Sequence, residues 1–279
     1  MGRRIPVPMT VTERRTRLRQ LVAGGKTTVA LGATDALSAK IIESHGFDCV
    51  YIGSYATAAS RYGLPDTGLL TLEPLVEQAR TIAQAVNLPV IADAEGGFND
   101  PADMWRTVQA FEEAGVAAIH IEDHTGGGKH TSRPQRLRPA AEATERIRAA
   151  VDARKDPNFM IVARSDAFWI AKDVEDCLAR LKAYADAGAD MVFPTLLDHP
   201  HFPRVRKETG KPLMIVDIPG EGFGAHEEAA LVLYYAFSTV MQFDALNKAI
   251  EVFKAAHDVH AGADYGKLIA SFEKFMGYR

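Results

Sequence analysis

A (β/α)8 barrel, an α/β fold of the TIM-barrel type, is the architecture this 279-residue sequence predicts. Three observations predict it. Eight short apolar runs alternate with helical patterns from end to end, with no linker or low-complexity stretch between them. The runs lack polar alternation, as expected of strands buried on both faces. Three junctions repeat a helix–glycine–strand pattern: His45-Gly46-Phe47, Ala114-Gly115-Val116 and Ala187-Gly188-Ala189. Glycine there supplies the left-handed helix cap that turns the chain into the next strand. An open doubly wound sheet would use fewer strands and usually a glycine-rich dinucleotide turn; no GxGxxG or Walker A sequence follows a strand here.

Taken in order, residues 11–23 form a first helix whose Leu18, Leu21 and Val22 supply a buried stripe. Arg14, Arg15, Arg17 and Arg19, with Arg3 and Arg4 before them, read as a solvated basic face. The strands are expected at 28–32, 49–53, 89–93, 118–122, 160–164, 191–194, 213–217 and 230–234, each short and apolar. Helical patterns fall between them at 36–44, 72–86, 101–114, 140–153, 174–187 and 203–208, and 238–257 follows the last strand. The helix at 101 opens on Asn99-Asp100-Pro101, a cap with proline in the first helical position. A final helix at 265–276 has no strand left to serve and is available to a neighbouring subunit. The expected organisation is one barrel domain over 1–279, with 1–24 as an N-terminal helix and 258–279 as a C-terminal helical extension.

Bulk properties exclude several function classes. The chain is 47% hydrophobic and 24% charged, with a formal net charge of −4 and a pI near 6.1, which argues against a nucleic-acid partner held by bulk charge. Its two cysteines, Cys49 and Cys177, have no CxxC spacing, so neither a disulfide framework nor a thiolate zinc site is indicated. No apolar run reaches the ~18 residues of a membrane helix, and the start lacks a signal-peptide core; a cytoplasmic location without membrane partners is expected. His199-Pro200-His201 and the pair His257 and His260 lack a third ligand beside them and read as surface residues.

Two strand ends carry the chemistry. Ile91-Ala92-Asp93-Ala94-Glu95-Gly96-Gly97 and Ile119-His120-Ile121-Glu122-Asp123 are apolar runs that break into carboxylates where the strands stop. In a parallel barrel this brings Asp93, Glu95 and Glu122 to the carboxyl edge of adjacent strands, where active sites lie. Clustered carboxylates repel unless a cation or proton joins them. Oxygen-only donors suit a hard divalent ion, Mg²⁺ first, with Mn²⁺ as the alternative. The duller reading of a single strand-end aspartate is a helix cap. Asp100 fits that reading, and Asp123 and Asp166 are compatible with it.

Six stretches then resemble one family: Asp35-Ala36-Leu37-Ser38-Ala39-Lys40, Tyr51-Ile52-Gly53-Ser54, Gly63-Leu64-Pro65-Asp66, Ala92-Asp93-Ala94-Glu95-Gly96-Gly97, His120-Ile121-Glu122-Asp123 and Ile161-Val162-Ala163-Arg164-Ser165-Asp166-Ala167. In order and spacing they are similar to the isocitrate lyase/phosphoenolpyruvate mutase superfamily, especially its methylisocitrate lyase and carboxyphosphonoenolpyruvate mutase branches. The resemblance implies a barrel with a helix swapped between partners, giving homodimers or homotetramers. It implies Mg²⁺, an α-oxo or α-hydroxy acid substrate and an enolate-like intermediate. On it, Asp93 holds the metal with Glu95 and Glu122 behind. Tyr51, Gly53 and Ser54 grip a substrate carboxylate, Arg164 binds a carboxylate or phosphonate, and Asp66 lies near the substrate.

The sequence departs from that pattern in places. The lyases carry a Lys-Lys/Arg-Cys-Gly-His segment on a mobile loop, with cysteine as the acid, whereas here the loop reads Gly126-Gly127-Gly128-Lys129-His130-Thr131-Ser132-Arg133-Pro134. Anchored on Arg133-Pro134, His130 falls at the cysteine's place, and histidine transfers protons near neutral pH. Lys129 or His130 is therefore the expected closing or acid group. Phe193-Pro194-Thr195 replaces a common Phe-Pro-Glu, Asp217 stands where asparagine is common, and Glu95 is a methylene longer than the usual aspartate. The expected function is a Mg²⁺-dependent lyase that cleaves a C–C bond in a small 2-hydroxy or 2-oxo di- or tricarboxylic acid. Alternatives on the same scaffold are a phosphoenolpyruvate mutase, a phosphonopyruvate hydrolase, an oxaloacetate decarboxylase and a non-catalytic ligand-binding relative.

Overall fold

The computed structural model describes residues 8–68, 70–125, 134–216 and 227–278. The chain divides into two compact units, Met1–Phe237 and Ser238–Arg279.

The first unit is built on β1 (Thr28–Gly32), β2 (Cys49–Ile52), β3 (Val90–Asp93), β4 (Ala118–Glu122), a short hairpin of β5 (His124–Thr125) and β6 (Arg136–Leu137), then β7 (Met160–Ser165), β8 (Met191–Pro194), β9 (Met214–Val216) and β10 (Leu231–Tyr234). Eight of these form one parallel sheet in the order β8-β7-β4-β3-β2-β1-β10-β9. Its two edges meet at a parallel bridge between Val192 and Leu213, where Val192 N–H donates to Pro212 O at 3.1 Å. That contact brings the sheet round into a barrel.

Every strand turns one set of side chains inward and the other outward, and both are apolar. Ala30, Cys49, Ile91, Met160, Met191, Met214 and Leu231 fill the interior, whereas Val50, Ile52, Ala92, Ile119 and Ile161 face the helices. Two buried faces explain why the sequence shows unbroken apolar runs. The surrounding helices are α2 (Ala36–Ser44), α3 (Ser54–Tyr62), α4 (Leu72–Ala85), α5 (Met104–Ala114), α6 (Ala140–Ala153), α7 (Ala167–Ala171), α8 (Val174–Asp186) and α9 (Phe202–Thr209). The sequence pattern misses α3, α7 and the β5–β6 hairpin. It also runs the 101–114 helix straight through, whereas a 3-10 turn at Pro101–Asp103 precedes α5. At three helix ends the expected Gly46, Gly115 and Gly188 have positive φ.

The leading helix, α1 (Val11–Ala23), differs from the expected solvated basic face. Leu18 and Val22 are buried among the interior strand residues, as the stripe predicts. Arg14 and Arg15, however, are buried rather than solvated. Arg15 donates from Nε to Val116 O (3.1 Å) and from Nη2 to Glu112 O (2.7 Å), and pairs with Asp156 at 2.9 Å. Arg14 donates to Val86 O at 2.8 Å. These carbonyls sit where helices end and strands begin, so two arginines satisfy orphan backbone acceptors and seal the amino end of the barrel. Arg17 and Arg19 remain nearer the surface, paired with Asp48 and Asp190.

In the second unit, α10 (Phe237–Ala256) starts at the boundary and α11 (Tyr265–Met276) follows. Both expose large apolar side chains, including Phe243 at 72% and Leu246 at 63%. No helix among the described residues is long and apolar enough to cross a membrane.

Candidate active site

Parallel pairing sets the site's layout. Asp93 is in register with His120, and Glu122 with Arg164, which is in turn in register with Phe193. The last residues of β3, β4, β7 and β8 therefore share one end of the barrel, the end at which such folds place chemistry. A cavity of about 310 Å³ opens there, lined by Tyr51, Gly53, Ser54, Asp66, Asp93 and Arg164 together with an apolar side.

The turn from β2 into α3 forms the first wall. Gly53 caps α3, and a Cβ on it would meet the Tyr51 ring at 2.9 Å and the Tyr51 hydroxyl at 3.1 Å. Glycine is required by this close approach rather than by its backbone angles. Ser54 then opens the helix, and its backbone N–H donates to Asp93 Oδ2 at 3.4 Å. Its hydroxyl lies 3.1 Å from Asp93 Oδ2 and 3.4 Å from Asp66 Oδ2, one proton between two buried carboxylates. Asp93 Oδ1 accepts from Glu95 N–H at 2.8 Å, and Glu95 adopts left-handed backbone (φ 49°) to make that turn.

Behind this wall Tyr51 Oη and His120 Nε2 lie 2.9 Å apart, and His120 Nδ1 is 3.7 Å from Asp93 Oδ1. Burial, and then the charge of Asp93, hold the Tyr51 hydroxyl well above its ordinary range, with Glu95 and Glu122 acting the same way. The phenol is therefore protonated at neutral pH, an O–H donor facing a carboxylate cluster.

Arg164 forms the opposing pole. Its Nε and Nη2 donate to Asp166 Oδ1 and Oδ2 at 2.7 and 3.1 Å, and its Nη1 pairs with Glu122 Oε2 at 3.1 Å. Thr195 Oγ1 accepts from Nε at 2.9 Å and donates to Asp166 at 2.5 Å, while the Phe193 ring lies 5.4 Å from the guanidinium carbon. Burial works against the charged form, but Asp166, Glu122 and Asp93 outweigh it and keep Arg164 charged. One layer deeper, Asp123 accepts from Ser165 Oγ, Asp166 N–H and Tyr184 Oη, each at 2.8 Å, and so fixes the turn that aims Asp166 back at Arg164.

Of the sequence-predicted residues, Tyr51, Gly53, Ser54, Asp66, Asp93 and Arg164 line the one cavity. Glu122 sits against Arg164 and Glu95 beside Asp93. Among the described residues no three His, Cys, Asp or Glu side chains converge as a ready-made metal cage. Lys129, His130 and Asp217 lie outside the described residues. The sequence quotes His120 within a strand and marks Thr195 as a departure from Phe-Pro-Glu without giving either a role, and it reads Asp166 as compatible with a cap; its position two residues beyond Arg164 is the signal that flags Asp166.

Comparison with known proteins places this geometry. The model of the phosphoenolpyruvate phosphomutase family matches residues 18–249. The chain is 43% identical over 178 residues to the 2,3-dimethylmalate lyase of Eubacterium barkeri, covering 63% of this chain and 61% of that protein's length. It is 36% identical to the 2-methylisocitrate lyase of Salmonella typhimurium over 227 residues, 79% of this chain and 77% of the relative. A phosphoenolpyruvate phosphomutase from Streptomyces platensis superposes with a TM-score of 0.85 at 28% identity, over 94% of this chain and 95% of that one. A phosphonopyruvate hydrolase complexed with oxalate and Mg²⁺ superposes with a TM-score of 0.82 at 26% identity, over 96% and 95%. Family model, relatives and barrel geometry agree, and the chain belongs to the isocitrate lyase/phosphoenolpyruvate mutase superfamily.

Proposed function

We propose that this protein is a divalent-metal-dependent lyase that cleaves a C–C bond in a small 2-hydroxy or 2-oxo acid. The observation that carries the reading is the single cavity in which Asp93, Ser54 and Tyr51 face Arg164 across the barrel's carboxyl end. The relatives named as 2,3-dimethylmalate and 2-methylisocitrate lyases support it.

The donors present fit a hard cation. Among the described residues, Asp66, Asp93, Glu95 and Glu122 are oxygen donors near one cationic side chain, an excess of negative charge that a divalent ion balances. Mg²⁺ commonly takes only one or two protein carboxylates and fills its shell with water and substrate. Asp93 would hold it, with Glu95 and Glu122 supplying charge behind; Mn²⁺ suits the same donors. When bound, such an ion supplies positive charge against the oxygen anions that develop during cleavage.

The chain's own groups do the rest. Arg164 is pinned by Asp166 and Thr195, so it meets a planar carboxylate in a fixed orientation. Gly53 and Ser54 offer close backbone approach, and Tyr51 offers its O–H to a substrate oxygen. Cleavage of a 2-hydroxy acid removes the hydroxyl proton and leaves carbanion character on the departing fragment, which must take up one proton. Lys129 and His130 are the groups we assign to that return, and Asp217 to substrate contact. The exposed apolar faces of α10 and α11 support assembly into helix-swapped homodimers or homotetramers, and we assign the protein to the cytoplasm.

The test is turnover of malate, citrate, oxaloacetate and phosphonopyruvate derivatives with Mg²⁺, followed by carbon NMR. Metal-dependent appearance of pyruvate, glyoxylate or a split dicarboxylate supports the lyase. Rearrangement or loss of the C–P bond moves the protein to the mutase or hydrolase reading, the activities for which the two superposed structures are named. Ligand binding without turnover would favour a silent relative.

A further inference from the structure

Arg164, Ser165 and Asp166 lie where β7 runs into α7, and a single residue, Asp123, holds all three. Its backbone N–H donates to Arg164 O at 3.2 Å. Its Oδ1 accepts the Asp166 N–H, and its Oδ2 accepts the Ser165 and Tyr184 hydroxyls, these three at 2.8 Å. Asp166 stands at the N-cap of α7, yet its carboxylate makes no cap bond there and is turned to Arg164 instead. What keeps it turned is the backbone of residues 164–166, and therefore Asp123.

Tyr184 brings a surrounding helix into this arrangement. It lies on α8 with Cys177, Leu178, Leu181 and Ala185, the side chains that the helix buries in the helix–sheet core. A phenylalanine would fill that space equally well, so packing does not account for the hydroxyl. Burial, and then the charge of Asp123, hold the hydroxyl above its ordinary range, so it stays protonated and donates. Arg180, 3.5 Å from Asp123 Oδ2, supplies the counter-charge. The hydroxyl supplies direction, because a short hydrogen bond fixes an oxygen more tightly in angle than a longer ion pair does. Without it Asp123 loses an anchor on the α8 side, and the turn that aims Asp166 gains freedom to swing.

We infer that Tyr184, acting through Asp123, is a positioning residue for Arg164 and sets the direction in which the guanidinium meets a substrate carboxylate. This rests on the lyase reading of the cavity, in which Arg164 receives that carboxylate, and adds to it a residue on the helices around the barrel.

The experiment uses the full-length protein. Calorimetric titration gives Kd for Mg²⁺ alone, and for oxalate and pyruvate at saturating Mg²⁺, in the wild type, Tyr184→Phe, Arg164→Lys and the double variant. Tyr184→Phe removes one oxygen and leaves the packing in place. It is expected to weaken both carboxylate ligands about fivefold, to leave the Mg²⁺ Kd unchanged, and to add nothing in the Arg164→Lys background. An unchanged ligand Kd, a loss of the same size in both backgrounds, or a parallel weakening of Mg²⁺ assigns Tyr184 to stability alone; each overturns this inference and leaves the lyase reading standing. Ligand binding by Arg164→Lys as tight as by the wild type overturns the inference through its premise. Absence of binding of either ligand by the wild type with Mg²⁺ overturns both readings.

Discussion

Asp166 grips Arg164 at two points, Nε to Oδ1 at 2.7 Å and Nη2 to Oδ2 at 3.1 Å, from only two residues further along the chain. Asp166 is fully buried and the Arg164 side chain only 13% exposed, so the geometry of the pair is set by the fold rather than by solvent. Removing one partner of a buried ion pair costs up to about 3–5 kcal/mol, and less here because Glu122 still pairs with Arg164. Asp166→Asn is therefore expected to lower the melting temperature and to cut kcat/KM at least tenfold, mainly through KM if Arg164 anchors a substrate carboxylate. Steady-state kinetics beside a thermal melt separates the two effects; unchanged KM would remove Arg164 from substrate binding.

Gly53 packs under the Tyr51 ring with no room for a methyl group. Gly53→Ala should push the ring off its 2.9 Å contact with His120 and disturb the Ser54–Asp93 bonds that follow it. Overpacking of this kind costs about 1–3 kcal/mol. Activity should fall by a larger factor than stability, because the displaced groups face the cavity. A melt and a rate measured on the same preparation check this.

Asp93 is the carboxylate on which the divalent-ion assignment depends. In the wild-type protein saturating Mg²⁺ should raise the melting temperature, by about 2.7 kcal/mol of stabilisation at a hundred times Kd. Asp93→Asn should lose most of that shift. Calorimetric titration of Mg²⁺ into both proteins gives an independent reading, and an equal response would reassign the site.

Arg15 ties the first helix to the barrel through two carbonyls and Asp156. Burial alone would raise the Asp156 carboxyl, but hydrogen bonding and charge from Arg15 hold it below its ordinary value. The sign follows from that lowered value: the stabilisation is complete above the ordinary aspartate range and is lost as pH falls through the lower folded value. Asp156→Asn should thus destabilise at neutral pH and flatten the acid limb of stability. Denaturant melts at pH 7 and pH 3 check it; equal losses at both would show that the pair contributes no charge.

Much of the barrel was legible because two structural signals are local. Unbroken apolar runs such as 118–122 mark strands buried twice, and Gly115 marks the turn between helix and strand. Strand-end residues inherit their placement from that fold, which is why Tyr51, Asp93 and Arg164 reach one cavity. Other features depend on contacts across the molecule. Arg14 and Arg15 look like surface charge until the carbonyls of distant helix ends are in place beside them. The helix Ser54–Tyr62 starts directly on the strand end without a linker, so its onset is masked by the apolar run before it. His120 reads as an interruption of a strand and becomes meaningful only once Tyr51 lies across from it.

The most direct test of the central claim is carbon-13 NMR of alkyl-substituted malates incubated with the protein and Mg²⁺, with and without EDTA. The account predicts loss of the substrate C2–C3 coupling and appearance of two smaller carboxylic acids, abolished by EDTA and by Asp93→Asn. Cleavage that persists undiminished in EDTA, or in Asp93→Asn, would contradict it.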